Sequence, residues 1–108
     1  MVVKRFEVWN VELSPTQGSE INKTRTCLIV SPDEVNKFLN TVIIVPITST
    51  VKPYPTRLSC HFKGKDGQLV VDQIRSVDKA RLIGKLGVME VKSCKEICAL
   101  IIETFKYQ

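Results

Sequence analysis

The chain has 108 residues, of which 44% are hydrophobic and 25% are charged. These values are ordinary for one globular domain, so they exclude a disordered or low-complexity chain, and we expect a single domain over residues 1–108. No apolar run approaches the roughly 18 residues that a membrane span needs, and the first residues form no apolar signal segment. We therefore expect a cytoplasmic protein that does not contact a membrane.

The net charge of +5 is unevenly distributed along the chain. The segment from Lys52 to Lys85 holds eight basic and three acidic residues, so it carries the whole of the excess. Such a segment fits a partner that bears phosphates, and on charge alone it fits a solvated surface equally well.

The first half of the chain predicts three strands. Alternating apolar residues predict a strand over Glu7–Leu13, and apolar, β-branched runs predict strands over Arg25–Val30 and Thr41–Ile47. Pro46 indicates a strand end or a bulge just before Thr48, because proline cannot donate to a β-ladder.

The second half predicts a hairpin and a last strand. Arg57–Phe62 and Gln68–Gln73 form the two arms of the hairpin, with an Asp66–Gly67 turn signal between them, and the last strand covers Leu82–Val88. We expect a mainly β (α+β) fold, a small closed or half-open barrel of about five to seven strands.

Two helices accompany these strands. Ser31 as the capping residue and Pro32 at the first helical position predict a short internal helix that ends at about Leu39. A second helix is predicted over Glu90–Phe105 and closes one side of the barrel. Its core-facing residues recur at three- and four-residue steps: Val91, Cys94, Cys98, Ile101 and Phe105.

The residue types limit the chemistry. The four cysteines form no CxxC motif and only His61 could join them, so we expect buried, reduced thiols and no metal site or cofactor. A single histidine also excludes a two-histidine ribonuclease mechanism and disfavours a serine hydrolase.

Polar residues cluster at three predicted strand ends, over Gly18–Arg25, Pro46–Thr50 and Asp72–Lys79. Each cluster also has an ordinary structural explanation. Arg25 would pair with a surface carboxylate, Thr48 and Ser49 would satisfy turn groups, and Asp72 would brace a turn.

The combination of these clusters resembles the MazF/PemK toxin family over Trp9–Glu20, Lys23–Arg25, Val45–Ser49 and Asp72–Leu82. The resemblance implies an SH3-like barrel, shared with CcdB toxins, that forms homodimers. It also implies an endoribonuclease that cleaves single-stranded RNA at short sequences without metal, leaving a 2′,3′-cyclic phosphate and a 5′-hydroxyl. Its partner would be a MazE/PemI-like antitoxin with an acidic C-terminal segment.

The resemblance carries over to individual residues. The family's catalytic arginine matches Arg25, its catalytic threonine matches Thr48, and the Glu of its Gly-x-Glu motif matches Glu20. The basic segment then becomes a track for RNA, and the candidate RNA-binding residues are Lys23, Ser49, Lys52, Tyr54, Asp72, Gln73, Arg75 and Lys79.

The chemistry of RNA cleavage agrees with this assignment. Arg25 can hold two phosphate oxygens and stabilise the charge that develops on phosphorus, and Thr48 can donate to a phosphate oxygen or orient the attacking hydroxyl. Arginine is a poor base, so Glu20 and Asp72 remain the candidates for accepting the proton.

The sequence departs from the family at three positions, and two other functions remain open. Thr26 stands where many members have proline, Val70 stands where some have a second arginine, and Asp72 stands where others have Glu. The main alternative is a non-enzymatic, CcdB-like toxin that binds DNA gyrase. An SH3-like adaptor or RNA-binding module ranks last, because aromatic residues make up only 6% of the chain.

Overall fold

The structure is a computed structural model that describes residues 1–13 and 23–108. Within these ranges the strands are β1 (Glu7–Glu12), β2 (Thr24–Ile29), β3 (Thr41–Thr48), β4 (Arg57–Phe62), β5 (Lys65–Val70), β6 (Arg75–Asp78) and β7 (Leu82–Val88). The helices are α1 (Asp33–Phe38) and α2 (Val91–Phe105), and short 3₁₀ turns cover Val71–Gln73 and Lys79–Arg81. The predicted mainly β fold with two helices is confirmed.

The strands form one antiparallel sheet in the order β4-β5-β3-β2-β1-β7, with β6 beside β3. Strand β3 organises it, because its first half pairs with β6 and its last two residues, Ile47 and Thr48, pair with β5. The change of partner falls at Pro46, which has no N–H to donate. The strand end predicted just before Thr48 is displaced by one residue, since β3 ends at Thr48 itself.

The β4–β5 hairpin differs from the prediction in its turn. The turn residues are Lys63 and Gly64, at φ 50° and 79°, and not Asp66–Gly67. Positive φ at both turn residues suits the right-handed twist of a hairpin with a two-residue turn. The second arm consequently begins at Lys65, and Val71–Gln73 is a 3₁₀ turn instead of the predicted strand end.

Side-chain packing brings the two outer strands together. A Cβ atom on Gly87 of β7 would lie only 3.0 Å from the Phe62 ring of β4, so the ring rests directly against the β7 backbone. No ladder joins β4 to β7 among the described residues. The result is a barrel-like sheet that remains open between its edge strands.

The two faces of the sheet carry two apolar clusters. One surrounds Trp9, Cys27 and Ile44, and the other includes Leu28 and Leu69 together with residues of α2. Burial raises the pKa of the Cys27 thiol to about 12, so this thiol stays protonated at neutral pH. The four cysteines are free; three are buried and Cys98 is half-buried, which agrees with the expected reduced thiols.

Helix α1 begins differently from the prediction. Pro32 occupies the N-cap position without a side-chain cap, so the assignment of Ser31 as the capping residue is wrong. The Ser31 hydroxyl instead donates to the side-chain oxygen of Asn36 and accepts the Ile43 N–H at 3.0 Å. Ser31 therefore ties α1 to the start of β3.

Helix α2 packs on the second cluster through a narrower face than predicted. Cys94 and Ile97 are buried, whereas Val91 and Phe105 are 68% and 65% exposed, so the prediction that both ends face the core is wrong. The buried residues of the helix, Ser93, Cys94 and Ile97, all belong to its first two turns. No helix in the described part of the chain is long and apolar enough to cross a membrane.

A buried carboxylate joins the N-terminal segment to β7. Glu7 is 5% exposed, and its Oε1 accepts the Lys4 N–H at 2.9 Å and the Trp9 Nε1–H at 3.0 Å. Its Oε2 lies 2.9 Å from the Lys85 ammonium. Burial alone raises the pKa of Glu7, but these donors outweigh burial, and the pKa lies below its ordinary value.

We predict that Glu7→Gln destabilises the protein near neutral pH by about 1–3 kcal/mol, because charge-assisted hydrogen bonds are lost. A lowered folded-state pKa stabilises the fold above the unfolded-state pKa, and this contribution disappears as the pH falls through the folded-state value. Urea unfolding of both proteins between about pH 7 and about pH 3 measures the difference in free energy of unfolding. A difference that stays constant over this range would contradict the assignment.

Candidate active site

A cavity of about 480 Å³ lies where the sheet is open, between the ends of β2 and β3 and the β4–β5 hairpin. Arg25, Thr48 and Ser49 line it from the strand ends, and Lys63 and Lys65 line it from the hairpin. The structure thus brings together residues from two of the predicted polar clusters.

Strand register explains why Arg25 and Thr48 meet. Cys27 of β2 is paired with Pro46 of β3, and each candidate residue lies two positions beyond this pair, towards the same end of the sheet. Since the side-chain period of a strand is two, both residues also share the face of that pair. Pairing in the middle of the sheet therefore places Arg25 and Thr48 across from each other.

The Arg25 side chain is available for a ligand. Arg25 is exposed, lies opposite Val11 of β1, and makes no side-chain hydrogen bond or ion pair with a described residue. The surface ion pair considered above is therefore not formed within residues 1–13 and 23–108. A guanidinium in this state can present two parallel N–H donors to a phosphate.

The Thr48 hydroxyl is oriented by the turn that follows β3. Its Oγ1 accepts the backbone N–H of Thr50 at 3.1 Å, so the predicted turn role is observed. This bond occupies an acceptor site of the hydroxyl and leaves its proton free to be donated. The turn role and a role towards substrate are thus compatible in one residue.

The cavity also contains residues that the sequence analysis missed. Asn10 and Thr26 are cross-strand partners that line it, are half-buried, and make no side-chain hydrogen bond with other described residues. Lys63 lies in the hairpin turn with its Nζ 5.9 Å from the centre of the Phe62 ring. The sequence signalled Lys63 only through the count of basic residues, because the register of the hairpin decides which of its side chains reach the cavity.

Asp72 and Tyr54 lie outside the cavity, in a cluster at the other end of β4. Asp72 Oδ1 accepts from Thr56 Oγ1 at 2.9 Å and from Arg57 Nε at 3.2 Å. The Arg57 guanidinium in turn lies 5.3 Å from the centre of the Tyr54 ring, which leaves Tyr54 50% exposed. Asp72 therefore braces the chain after β5, as the structural explanation predicted.

The remaining candidates lie at several places around the sheet. Lys23 precedes β2, and its carbonyl oxygen accepts the Leu13 N–H at 2.8 Å. Arg75 on β6 is paired with Ile44, which is paired with Ile29 of β2, so by the period of two Arg75 and Arg25 lie on one face of the sheet. Gln73 belongs to a 3₁₀ turn.

Lys79 and Lys52 occupy different surroundings, and Glu20 lies outside the described residues. The Lys79 ammonium donates to the Asn36 carbonyl, in a separate depression formed by the N-terminal residues and α1. Lys52 is exposed and follows the turn after Thr48. Among the candidates that the structure describes, Thr48 and Ser49 line the cavity with Arg25 at the strand ends, and the others do not.

The comparisons with known proteins agree with this architecture. A family model described as "PemK-like, MazF-like toxin of type II toxin-antitoxin system" matches residues 4–105. The endoribonuclease MazF of Staphylococcus saprophyticus is 35% identical over 102 residues, which cover 89% of this chain and 85% of that protein.

Solved structures show the same fold. MazF from Deinococcus radiodurans superposes with a TM-score of 0.86 at 22% identity, over 99% of each chain. An endoribonuclease from a mycobacterial species, solved in complex with its cognate antitoxin, gives a TM-score of 0.81 at 20% identity, over 98% of this chain and 99% of that one.

Proposed function

Since the chain belongs to the PemK-like, MazF-like toxins of type II toxin–antitoxin systems, we propose that it is a sequence-specific endoribonuclease that acts on single-stranded RNA without metal. The observation that carries this proposal is the convergence of Arg25 and Thr48 on one cavity with a basic rim. Cleavage of mRNA in the cytoplasm would inhibit translation and growth.

The proposed reaction needs no group beyond the chain and the RNA. The 2′-hydroxyl of the substrate loses its proton to a base, its oxygen bonds to the adjacent phosphorus, and the bond from phosphorus to the 5′-oxygen breaks. The leaving 5′-oxygen takes a proton, so the reaction consumes and releases no proton overall. The products are a 2′,3′-cyclic phosphate and a 5′-hydroxyl. Arg25 stabilises the negative charge on the phosphorane through two N–H donors, and Thr48 donates to one of its oxygens.

The proton acceptor is proposed by comparing the two candidate carboxylates, Glu20 and Asp72. Asp72 is engaged by Thr56 and Arg57 and does not line the cavity. A base must come within hydrogen-bond reach of the proton that it removes, which disfavours Asp72. We therefore assign this role to Glu20, on the strength of its place in the Gly-x-Glu motif.

The proposed RNA track follows the positive charge around the cavity. Lys63 and Lys65 at the rim contact no carboxylate within the described residues, so their ammonium groups can meet phosphates. Ser49 and Lys52 extend the track beyond Thr48, and the half-exposed Tyr54 ring offers a face for a base.

The track includes further candidates on the neighbouring strands. Lys23 and Arg75 lie near the β2 side, and Gln73 and Asp72 follow β5. The proposal has least support for Lys79, whose ammonium is bound to the Asn36 carbonyl on another part of the surface.

Two partners are proposed besides RNA. We expect a homodimer, and the exposed side chains of Val88, Val91 and Ile102 beside and along α2 offer an apolar surface for a second copy. We also expect a cognate antitoxin whose acidic, flexible C-terminal segment covers the basic rim of the cavity.

We predict that the purified protein cleaves a long single-stranded RNA in the presence of EDTA. Arg25→Ala and Thr48→Ala should each lower the cleavage rate by roughly 10²–10³, because each removes a donor to the transition state. Gel analysis with sequencing of the cut ends measures the rate and gives the recognition site. Lys37→Ala, which changes an exposed basic residue of α1, is the control and should match the wild type.

Two outcomes of this experiment would overturn the proposal. One is RNA that stays intact with the wild-type protein, and the other is cleavage by both alanine variants at the wild-type rate. Intact RNA together with inhibition of DNA gyrase would favour the CcdB-like alternative.

We predict that a peptide with the acidic C-terminal segment of a candidate antitoxin binds more weakly at about 200 mM than at about 50 mM salt. The double variant Lys63→Gln/Lys65→Gln should bind less tightly and depend less on salt, whereas Lys37→Gln should not differ from the wild type. Isothermal titration calorimetry at the two ionic strengths measures the affinities. Equal affinities at both would rule out an electrostatic contact.

A further inference from the structure

A buried amide of β5 holds the turn that follows Thr48. Gln68 is 6% exposed and is the cross-strand partner of Thr48. Its Oε1 accepts the Lys52 N–H at 3.0 Å, and its Nε2 donates to the Lys52 carbonyl at 3.1 Å. One side chain thus satisfies both backbone groups of Lys52, in the way that a neighbouring strand would.

The preceding residue, Gly67, fixes the strand end from the other side. A Cβ atom at this position would lie 2.8 Å from the Thr48 carbonyl oxygen and 3.3 Å from Ile47 Cγ2. Only glycine lets the β5 backbone approach β3 so closely. Gly67 therefore packs against the first residue of the segment from Thr48 to Lys52, and Gln68 is hydrogen-bonded to the last.

One further hydrogen bond connects the held segment to the Thr48 hydroxyl. The N–H of Thr50, inside the held segment, donates to Thr48 Oγ1 at 3.1 Å. Residues 49–55 are all exposed, so no buried side chain of their own fixes this turn. An exposed turn without such anchors samples many conformations, and its N–H would then leave the Thr48 hydroxyl.

We propose that Gln68 is a positioning residue for catalysis, holding the turn so that Thr50 orients the Thr48 hydroxyl towards the scissile phosphate. This inference rests on the proposed function of Thr48. Gln68 does not line the cavity, so it acts through the turn and not on RNA. A misplacement of about 1 Å at a reacting group can cost roughly 100-fold in rate, which sets the size of the expected effect.

Two variants of Gln68 separate positioning from general stabilisation. Gln68→Met keeps the length of the side chain and removes both hydrogen bonds, so kcat should fall by roughly 100-fold while KM changes by less than about threefold. Gln68→Glu keeps the acceptor for Lys52 N–H, and its protonated form regains the donor for the carbonyl. Its activity relative to the wild type should therefore rise as the pH falls from about 8 to about 5, while the ratio for Gln68→Met stays flat.

A matched control shows how the loss of a buried amide side chain alone affects stability and kcat. Asn36→Ala removes another buried amide, bonded to Ser31 near the start of β3, so it should lower stability without lowering kcat. Thermal unfolding of every variant shows whether it is folded at the assay temperature. If Gln68→Met does not fold, the pH dependence of Gln68→Glu decides the question.

The effect of Gln68 on the turn can also be measured without an activity assay. Hydrogen exchange at the Thr50 amide should be faster in Gln68→Met than in the wild type, which tests the turn even if the wild type cleaves no RNA. Unchanged Thr50 exchange, a wild-type kcat for Gln68→Met, or a flat pH ratio for Gln68→Glu would each overturn the assignment. Intact RNA with normal Thr50 protection in the wild type would instead count against the proposed function alone.

Discussion

The architecture depends on one strand that changes partner halfway along its length. Strand β3 pairs with β6 over its first half and with β5 at Ile47 and Thr48, while β2 stays on its other edge. Pro46 lies at the change of partner and has no N–H to leave unpaired there. The sheet can therefore curl at this point, which directs the β4–β5 hairpin back towards β7 and leaves the candidate site at the opening.

The barrel stays open because its two edge strands, β4 and β7, meet through side-chain packing and not through a ladder. A ladder between β4 and β7 would close the sheet and fill the space that the cavity occupies. The Phe62 ring lies against Gly87 instead, so the edges are held by an apolar contact that needs no backbone pairing. Polar groups such as those of Asn10 and Thr26 then stay accessible at half-buried positions, where an entering ligand can satisfy them.

The positions of most strands were predictable, because local sequence patterns indicate strands well. How the strands pair was not, because register depends on residues far apart in the sequence. Alternation located the strands, and two of them, β4 and β7, have the predicted bounds. Strand β6, with Val77 as its one apolar residue, gave no such signal, since this strand exists through its pairing with β3. The Asp66–Gly67 dipeptide suggested a turn, yet Gly67 serves a close approach of two strands that no local pattern reveals. That Arg25 and Thr48 lie close together could be predicted only from the combination of motifs. The positions of Lys63 and Gln68 could not be predicted without the register of the hairpin.

The charge around the site depends on which groups its acidic residues contact. The basic segment contains three carboxylates, and each already has a partner. Asp66 lies 2.7 Å from His61 Nδ1, Asp72 lies 3.2 Å from Arg57 Nε, and Asp78 accepts the Ala80 N–H at 2.8 Å. Exposed contacts of this kind add little stability, and Asp66 itself lines the cavity beside Lys65. The turn beside Thr48 is fixed by a neutral amide, where a carboxylate would compete with a phosphate for Arg25. The cavity lining remains net positive, because Arg25, Lys63 and Lys65 outnumber Asp66, while Gln68 holds the turn next to Thr48 without adding charge.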